Sequence, residues 1–500
     1  MGIQGKLLGS YGLAVAIALL GLCPNIVLST AAGSLSTTLA GDLGASPVQL
    51  QLGEGLSNAG YAFGAVLAAQ LAQRFVQRHL FLVYEGVFVA GSVLAAAAMG
   101  PVSFDVGRVL QGTATGFMLI SALPPLVTRF GVGRLPLTVV IVNIGLFGAT
   151  TVGPLVGGVV AATGGWRWLF AAMGLVGAVG WAAAWLGYER FDPFDPELPF
   201  DRPAIALALV STALTFIGAS LLTAVPFSSP LFWAPFGTGI VLLLLLVVLE
   251  YRKEAALMPV EALSTQLPVT GTVVAMVGGA VFVTALELMQ TGLQKVGHEG
   301  PLAIAAAFWP MPIGLIVAAC LFGLLFRTRW VPVLVDAGLS CLVVATLLLL
   351  LLGTANPGWV TAVSTALLGF GAGATVSPGL FLAAMGVRSQ LLGRAFALVE
   401  LLRSEAAFAV APVVLALAGL ATDPATGARI GLTVTLALAV VGLASGVLIP
   451  ALSGARLRRP DLEAWLDRGE QALASPTTAV HLRPGVEDET AEPLLPRRRS

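Results

Sequence analysis

Long apolar segments that carry almost no charge are the feature that most limits what this chain can fold into. Three of them contain one ionisable side chain or none: Leu209 to Val225, Val241 to Leu249 and Leu334 to Leu352. A helix needs about 20 apolar residues to cross a hydrocarbon core of about 30 Å. Only 10% of the 500 residues are charged, whereas soluble domains carry about 25%. The sequence therefore predicts an all-α integral membrane protein.

Apolar segments separated by Gly, Pro and charged residues predict fourteen transmembrane helices. Their approximate limits are 11–32, 52–73, 80–99, 104–128, 137–161, 167–187, 204–224, 231–250, 268–290, 301–325, 331–353, 358–386, 394–420 and 428–452. We interpret these spans as two six-helix bundles with two inserted helices between them. The predicted domains are the first bundle (1–190), a cytoplasmic linker with the inserted helices (191–260), the second bundle (261–453) and a cytoplasmic tail (454–500).

Charge distribution predicts the orientation, because cytoplasmic loops collect Lys and Arg. With the N-terminus inside, only Arg167, Lys295 and Arg429 face outward. Sixteen basic residues then fall in cytoplasmic segments: Lys6, Arg74, Arg78, Arg129, Arg134, Arg190, Arg202, Arg252, Lys253, Arg327, Arg329, Arg388, Arg394, Arg456, Arg458 and Arg459. The outer loops Pro226 to Pro230 and Gly353 to Pro357 are uncharged. We expect a multi-pass protein of the cell (inner or plasma) membrane with both termini cytoplasmic.

The tail and the composition add smaller constraints. The last 45 residues are polar, end in Arg497, Arg498 and Arg499, and predict a mostly disordered segment with one short helix from Pro460 to Trp465. A net charge of zero gives no indication of a nucleic-acid partner. The three cysteines all lie in apolar segments, so neither a disulfide framework nor a metal site is expected. No cofactor, no enzymatic activity and a monomeric state are expected.

An internal repeat supports the two-bundle interpretation. Gly112 and Gly116 are followed by Pro124, by Gly133-Arg134 and by an apolar helix containing Pro154. In the second half the corresponding positions are Gly369, Gly373, Pro378, Gly393-Arg394 and Pro412. Chance remains the alternative explanation, because the chain has 59 glycines.

The fourth predicted span contains an arginine in an apolar setting. It opens with Asp105, Arg108, Gln111, Gly112, Ala114 and Gly116. An arginine at this depth is costly to desolvate unless it is paired or faces a polar cavity. Glycines four apart allow a neighbouring helix to approach closely. An Arg followed three residues later by Gln-Gly resembles the span-four signature of the major facilitator superfamily, and this resemblance implies that Arg108 takes part in proton coupling.

Two further strings strengthen the resemblance. The fifth span contains Gly145, Gly148, Gly153, Pro154, Gly157 and Gly158. Its Gly-Pro-x-x-Gly-Gly end resembles the antiporter signature of the family, although the upstream glycines do not fit the full spacing. The string Trp166 to Phe170 resembles the Trp-Arg-Trp-Ile-Phe string of the fourteen-span drug:proton antiporter branch. The resemblance implies alternating access between two bundles.

Two departures from the family pattern concern acidic residues. The loop between spans two and three keeps Arg74 and Arg78, but Gln73 stands where the family has an aspartate. In the first span, Cys23 occupies the position at which the branch usually has an acidic residue. The two departures therefore bear on the proton-coupling prediction and leave the predicted scaffold unchanged.

Coupling requires a carboxylate whose protonation responds to its surroundings. Our candidates for proton coupling are Arg108, Asp105, Gln111, Glu85, Glu400 and Arg403. Glu400 and Arg403 are three residues apart, so mutual neutralisation is an alternative role for both. Candidates for the substrate cavity are Asn25, Glu287, Trp309 and Met311. Glu54, Asp105, Glu287 and Asp336 lie near span ends, where interfacial carboxylates are common.

The glycine and arginine motifs are expected to serve conformational change. These residues are Arg74, Arg78, Gly112, Gly116, Gly153, Pro154, Gly157 and Gly158. The expected partners are the bilayer, protons and a small-molecule or lipid substrate.

Other functions fit less of the sequence. Asp192, Asp195 and Asp201 resemble the aspartate clusters of membrane prenyltransferases, but no second cluster occurs. A channel would need a ring of polar groups, and ATP-driven transport would need a phosphate-binding loop. We predict a secondary transporter that exports lipophilic or amphipathic compounds, with a lipid or glycolipid transporter or an uncoupled uniporter as the alternatives.

Overall fold

Residues 9–190, 197, 199–253, 256–351, 358–452, 458–473 and 475 are described by the computed structural model. The long helices are α1 (Tyr11–Leu43), α2 (Pro47–Arg74), α3 (Gln77–Ala96), α4 (Pro101–Thr128), α5 (Gly131–Thr163), α6 (Trp166–Gly187), α7 (Arg202–Leu221), α8 (Pro230–Arg252), α9 (Gln266–Lys295), α10 (Pro301–Leu325), α11 (Val331–Leu349), α12 (Gly358–Met385), α13 (Leu392–Ala418) and α14 (Pro424–Leu452). Several predictions fall on residues outside this description: Lys6, Asp192, Asp195, Gly353 to Pro357, Arg456 and Arg497 to Arg499.

Thirteen helices within the described residues are long and apolar enough to cross a membrane. Helix α2 has 28 residues but is not among them, because it carries polar side chains such as Gln51, Glu54 and Gln70. These side chains face neighbouring helices: Glu54 pairs with Arg108, and Gln70 is buried. The low hydropathy of α2 therefore reflects an interior position within the helix assembly.

Local signals set where the first helices start and stop. Ser10 caps α1 by accepting a hydrogen bond from the backbone N–H of Leu13, and Gly44 ends the helix with φ of 62°. Ser46 and Gln49 form a capping box at the start of α2. The end at which α1 begins is called the N-terminal end below, and the opposite end is the distal end.

Glycines allow the closest helix contacts, and the same contact occurs in both halves of the chain. A Cβ atom on Gly112 or Gly116 of α4 would lie 2.1 Å from a backbone carbonyl oxygen of α2. A Cβ atom on Gly369 of α12 would lie 2.0 Å from the carbonyl oxygen of Met311 in α10. The repeated glycines thus occupy equivalent packing positions, α4 on α2 and α12 on α10.

Helices pack mainly with others of the same half of the chain. Helices α1 to α6 contact one another extensively, as do α9 to α14. Helix α7 packs on α2 and also on α13, and α8 packs on α7. Helix α10 is interrupted between Ala307 and Met311.

A small charged cluster joins the start of α7 to the end of α8. Asp201 caps α7, and its carboxylate accepts a hydrogen bond of 2.6 Å from Lys253, which follows α8. Lys253 also donates to Glu250 at 2.7 Å, and Glu250 accepts the backbone N–H of Met258. Partial burial lowers the pKa of Lys253, but its two carboxylate partners raise it more, and the net shift is upward. Asp201 therefore serves as a helix cap and ion-pair partner.

A C-terminal segment, residues 458–473, is packed against the N-terminal end of the assembly. It contains the short helix Leu462–Asp467, and Trp465 is fully buried, with its indole N–H donating to the carbonyl of Val387 at 3.0 Å. The backbone N–H of Leu473 donates to the carbonyl of Met385. The short helix also contacts the first turns of α5. The predicted short helix is present, and the residues around it are ordered by burial of the tryptophan.

Candidate functional site

Arg108 of α4 is the centre of a buried polar network. Only 1% of its surface is exposed, and its Nη2 atom lies 2.9 Å from the carboxylate of Glu54 in α2. The guanidinium also donates to Ser29 at 2.8 Å, to Asn25 at 3.3 Å and to Gln111 at 2.7 Å. An arginine satisfied by a bidentate carboxylate and three neutral acceptors is stable in a nonpolar interior. The network joins α1, α2 and α4.

Further contacts hold this network in place. Gln111 donates to the hydroxyl of Ser92 in α3 at 2.8 Å. The guanidinium lies 5.8 Å from the ring centroid of Phe170 in α6. The hydroxyl of Ser57 donates to the backbone carbonyl of Arg108 at 2.9 Å. Five of the first six helices therefore contribute a side chain at or next to the arginine.

Glu54 is the functional candidate that sequence reasoning underrated. It lies two positions beyond the start of the predicted second span, where a carboxylate normally suggests an interfacial group. The structure instead pairs it with Arg108, while Asp105, which is closer to Arg108 in sequence, has one carboxylate oxygen buried without a hydrogen-bond partner among the described residues. The polar character of α2 was the available signal, because six Gln, Glu or Asn side chains occur in a helix expected to cross a membrane.

A second charged cluster joins the two halves of the chain. Arg403 of α13 forms a bidentate pair with Glu400 on the same helix, as their spacing suggested. The hydroxyl of Tyr61 in α2 donates to Glu400 at 2.7 Å. Mutual neutralisation thus accounts for the two charges, but the tyrosine adds a direct hydrogen bond across the interface between α2 and α13.

Helices α5 and α12 are joined across the interface by another hydrogen bond. Asn143 of α5 is buried and donates through Nδ2 to the carbonyl of Gly373 in α12 at 2.8 Å. Asn143 begins a π-helical turn, Asn143–Phe147, which inserts about one extra residue into α5. The turn contains Gly145 and ends immediately before Gly148, the two glycines upstream of the Gly-Pro-x-x-Gly-Gly string. Cys23 contacts the same turn, with Sγ 3.3 Å from the carbonyl oxygen of Gly145.

A cavity of about 440 Å³ lies between the two halves in the distal part of the assembly. Its walls come from α1, α2, α4, α6, α7, α9 and α13. Polar lining side chains include Ser29, Glu54 and Arg108, and aromatic ones include Phe216 and Phe408. The cavity therefore combines apolar surface with a few polar groups, the usual make-up of a small-molecule site.

The predicted cavity residues are distributed unevenly around this space. Glu287 of α9 lines the cavity, as Glu54 does from the other half of the chain. Asn25 lies behind the lining and reaches Arg108. Met311 is fully buried against Gly369, and Trp309 is 59% exposed on the surface, so neither is among the lining residues. The break in α10 turns Trp309 away from the interior.

Glu85 occupies a separate position inside the first half. It is fully buried, and both carboxylate oxygens are without a hydrogen-bond partner among the described residues. The space around it exists because Gly21 of α1 and Gly177 and Gly180 of α6 carry no side chain; a Cβ atom at these glycines would lie 2.7, 3.3 and 3.0 Å from its oxygens. Among the described residues, Glu85 therefore shares no hydrogen bond with the Arg108 cluster or the Glu400 cluster.

The remaining motif residues lie at helix ends and helix contacts. The guanidinium of Arg74 lies over the ring of Phe200 at 4.4 Å, and Arg78 donates to the carbonyl of Trp185. Gln73 donates to the carbonyl of Ala69 on its own helix and lines a second cavity, of about 460 Å³, at the N-terminal end. The described side-chain contacts of this loop are therefore with the first half and, at Phe200, with the linker.

The glycines of α5 contact helices from both halves. Cβ atoms on Gly153 and Gly157 would collide with Thr30 and Ala31 of α1, whereas one on Gly158 would collide with Ala305 of α10. Pro154 is buried within the same stretch. Among the described residues no group of three or more His, Cys, Asp or Glu side chains is positioned to hold a metal ion.

Comparison with known proteins agrees with this architecture. The sequence model of the Major Facilitator Superfamily matches residues 17–412. The uncharacterized MFS-type transporter YubD of Bacillus subtilis (strain 168) is 28% identical over 368 residues, covering 73% of this chain and 71% of YubD. The drug efflux pump JefA of Mycobacterium tuberculosis (strain CDC 1551 / Oshkosh) is 28% identical over 359 residues, or 69% of each protein.

A solved structure shares the fold. The peptide transporter POT superposes with a TM-score of 0.63 at 17% identity, covering 90% of this chain and 98% of that protein. At this identity the likeness concerns the helix arrangement alone.

Proposed function

The chain belongs to the Major Facilitator Superfamily of transporters, and on this basis we propose that it exports small lipophilic or amphipathic compounds in exchange for protons. The single observation that carries this proposal is the cavity between the two halves, with the Arg108–Glu54 ion pair in its wall. Relatives named as drug efflux pumps favour an exporter of organic compounds. The mixed apolar and polar lining suits amphipathic molecules.

The proposed topology is that of the sequence prediction. Fourteen spans form two six-helix bundles, residues 1–190 and 261–453, with α7 and α8 inserted between them. The N-terminal end faces the cytoplasm of a cell whose plasma or inner membrane holds the protein as a monomer. The clustering of basic residues at that end supports this orientation.

In the proposed mechanism the substrate binds in the cavity, and movement of the two bundles opens the cavity alternately to each side of the membrane. The Arg108–Glu54 pair is the proposed coupling centre, because protonation of Glu54 would release the arginine from its only carboxylate partner among the described residues. A released Arg108 would still be held by Gln111, Asn25 and Ser29, so that the network can rearrange without exposing the charge to lipid.

The Tyr61–Glu400 hydrogen bond is the proposed gate contact. It joins α2 to α13 closer to the N-terminal end than Arg108 lies, and it must break when the bundles separate there. Glu287 is proposed to contact the polar or cationic part of a substrate, because no cationic partner engages it among the described residues.

The test is transport by purified protein in proteoliposomes, with and without an imposed pH gradient. Cationic dyes, neutral antibiotics and labelled lipids serve as candidate substrates. We expect accumulation of at least one dye or antibiotic to follow the gradient, and Arg108→Ala to abolish the gradient-dependent part. Transport that ignores the gradient would favour a uniporter, and transport of lipids alone would favour a lipid transporter. Gradient-driven transport unchanged in Arg108→Ala would remove the coupling role of the arginine.

A further inference from the structure

The inserted helix α7 takes part in the wall of the cavity. Phe216, Ala219, Ser220 and Thr223 of α7 and the turn after it line this space together with α2 and α13. Helix α8, by contrast, packs on the outer side of α7 and presents apolar side chains such as Leu244, which is 60% exposed. The two inserted helices therefore have different surroundings, one beside the cavity and one at the lipid-facing surface.

Helix α7 is bound tightly to the first half of the chain. The hydroxyl of Ser220 donates to the backbone carbonyl of Gln51 in α2 at 3.0 Å. Next to this bond, a Cβ atom on Gly55 would lie 2.4 Å from the Ser220 hydroxyl and 3.3 Å from the carbonyl of Phe216. A glycine at residue 55 thus allows the two backbones to meet, and little space remains between α2 and α7.

Helix α7 also contacts the second half. It packs against α13, which carries the buried carboxylate of Glu405. Glu405 lies one turn from Phe408, which lines the cavity. Helices α2 and α13 meet directly at Tyr61 and Glu400. On the distal side of that contact, α7 packs against both helices and covers the gap between them.

We propose that α7 is the lateral wall of the substrate site, with Phe216 as a specificity-determining residue. The wall separates the cavity from the hydrocarbon where α2 and α13 meet, so the substrate reaches the cavity along the helix axes. The apolar part of the bound substrate lies between Phe216 and Phe408. This inference rests on the proposed function, because it assumes that the cavity binds the transported compound. It adds to the proposed function the surface that selects the compound and the route by which the compound reaches the cavity.

Cysteine labelling in proteoliposomes tests the wall. The experiment compares three variants: Ala219→Cys on α7, Asn58→Cys on the α2 wall and Leu244→Cys on α8. For each variant the labelling rate is measured and the rate of the unsubstituted chain is subtracted. We expect a charged, water-soluble maleimide to label Ala219→Cys and Asn58→Cys, and a saturating transported dye to slow both reactions about tenfold. Leu244→Cys should react only with a lipid-soluble maleimide and should show no protection.

The outcomes separate the two proposals. If Asn58→Cys is protected while Ala219→Cys behaves like Leu244→Cys, the inference about α7 is overturned and the proposed function stands. If the dye is transported but protects neither Asn58→Cys nor Ala219→Cys, the cavity is not the substrate site, so this inference and the proposed binding site both fail while the proposed transport activity stands.

Transport profiles test the specificity role directly. Phe216→Ala and Phe216→Trp should change the ratio of transport rates between a small and a large dye in opposite directions, by about tenfold, the size of effect that a change in pocket volume produces. Leu244→Ala, on the lipid-facing surface of α8, is the control and should leave the ratio unchanged. An unaltered ratio in both Phe216 variants would overturn the role of that residue.

Discussion

Tyr61 of α2 and Glu400 of α13 are 339 residues apart in the sequence, and the tyrosine hydroxyl donates to the carboxylate at 2.7 Å. The carboxylate is already paired with Arg403, so the hydroxyl adds a bond to a charged and buried group. Bonds of this kind contribute about 1.5–3 kcal/mol. Because its two partners belong to different halves of the chain, this bond favours the arrangement in which the halves meet at that depth.

Tyr61→Phe should therefore loosen the interface and open the N-terminal cavity. We expect the labelling rate of Ala69→Cys, at a buried position that lines that cavity, to rise about tenfold, because 1.4 kcal/mol corresponds to a factor of ten. Tyr84→Phe is a matched control, since the Tyr84 hydroxyl is buried without a hydrogen-bond partner among the described residues. Equal labelling rates in the two variants would contradict a gate role for Tyr61.

Arg108 and Glu54 should stabilise the folded protein as a unit. Arg108→Ala or Glu54→Ala leaves an uncompensated charge, and such changes at buried pairs cost about 3–5 kcal/mol. The double variant should be destabilised by clearly less than the sum of the two, as measured by thermal unfolding in detergent. Arg167→Ala is the control, because the Arg167–Asp42 pair is 44% exposed on both sides and such pairs contribute about 1 kcal/mol or less. Additive losses would show that the pair does not act as a unit.

A methyl group on Gly116 should destabilise the α2–α4 contact. The added carbon would lie 2.1 Å from the carbonyl oxygen of Tyr61, so the helices must separate at a cost of about 1–3 kcal/mol. Gly133→Ala is the control, since no atom lies within 4 Å of the position of its Cβ. Denaturation midpoints in detergent compare the two, and an equal loss of stability would show that close packing at Gly116 does not matter.

Trp465→Ala should release the C-terminal segment, residues 458–473. Replacing a buried Trp by Ala costs about 3–5 kcal/mol, and the bond to the carbonyl of Val387 is lost as well. Cleavage by trypsin at Arg458 and Arg468 should become faster while the helices stay intact. Trp168→Ala, at a side chain that is 80% exposed, should leave the cleavage rate unchanged. Unaltered cleavage in Trp465→Ala would mean that other contacts hold the segment.

Sequence patterns located the local features of the site. Arg108 was conspicuous because a charge in an apolar segment is costly, and the Glu400–Arg403 pair follows from a spacing of three on one helix. The partners that cross between helices were not predictable in this way. Nothing in the order of residues connects Glu54 with Arg108 or Tyr61 with Glu400. The sequence indicated a break in α10 but not the direction in which the break turns Trp309, which is exposed on the surface.

The count of fourteen spans also depends on contacts between helices that the sequence does not show. Hydropathy identifies thirteen membrane-spanning helices among the described residues. Helix α2 is not apolar enough to be one of them, because its polar side chains contact other helices inside the assembly. The resemblance to the major facilitator superfamily is confirmed by the match over residues 17–412. The two-bundle count and the orientation stay predictions.

The sequence by itself determined that this chain is a helical membrane protein of a transporter family, because apolar length, charge placement and short motifs are local properties. Only the tertiary structure decided which charges are paired, which helices enclose the cavity and that α7 belongs to its wall. The physical reason is that a transmembrane helix satisfies its backbone internally, so its position among neighbours depends on glycine contacts and a few polar bonds between residues far apart in the chain.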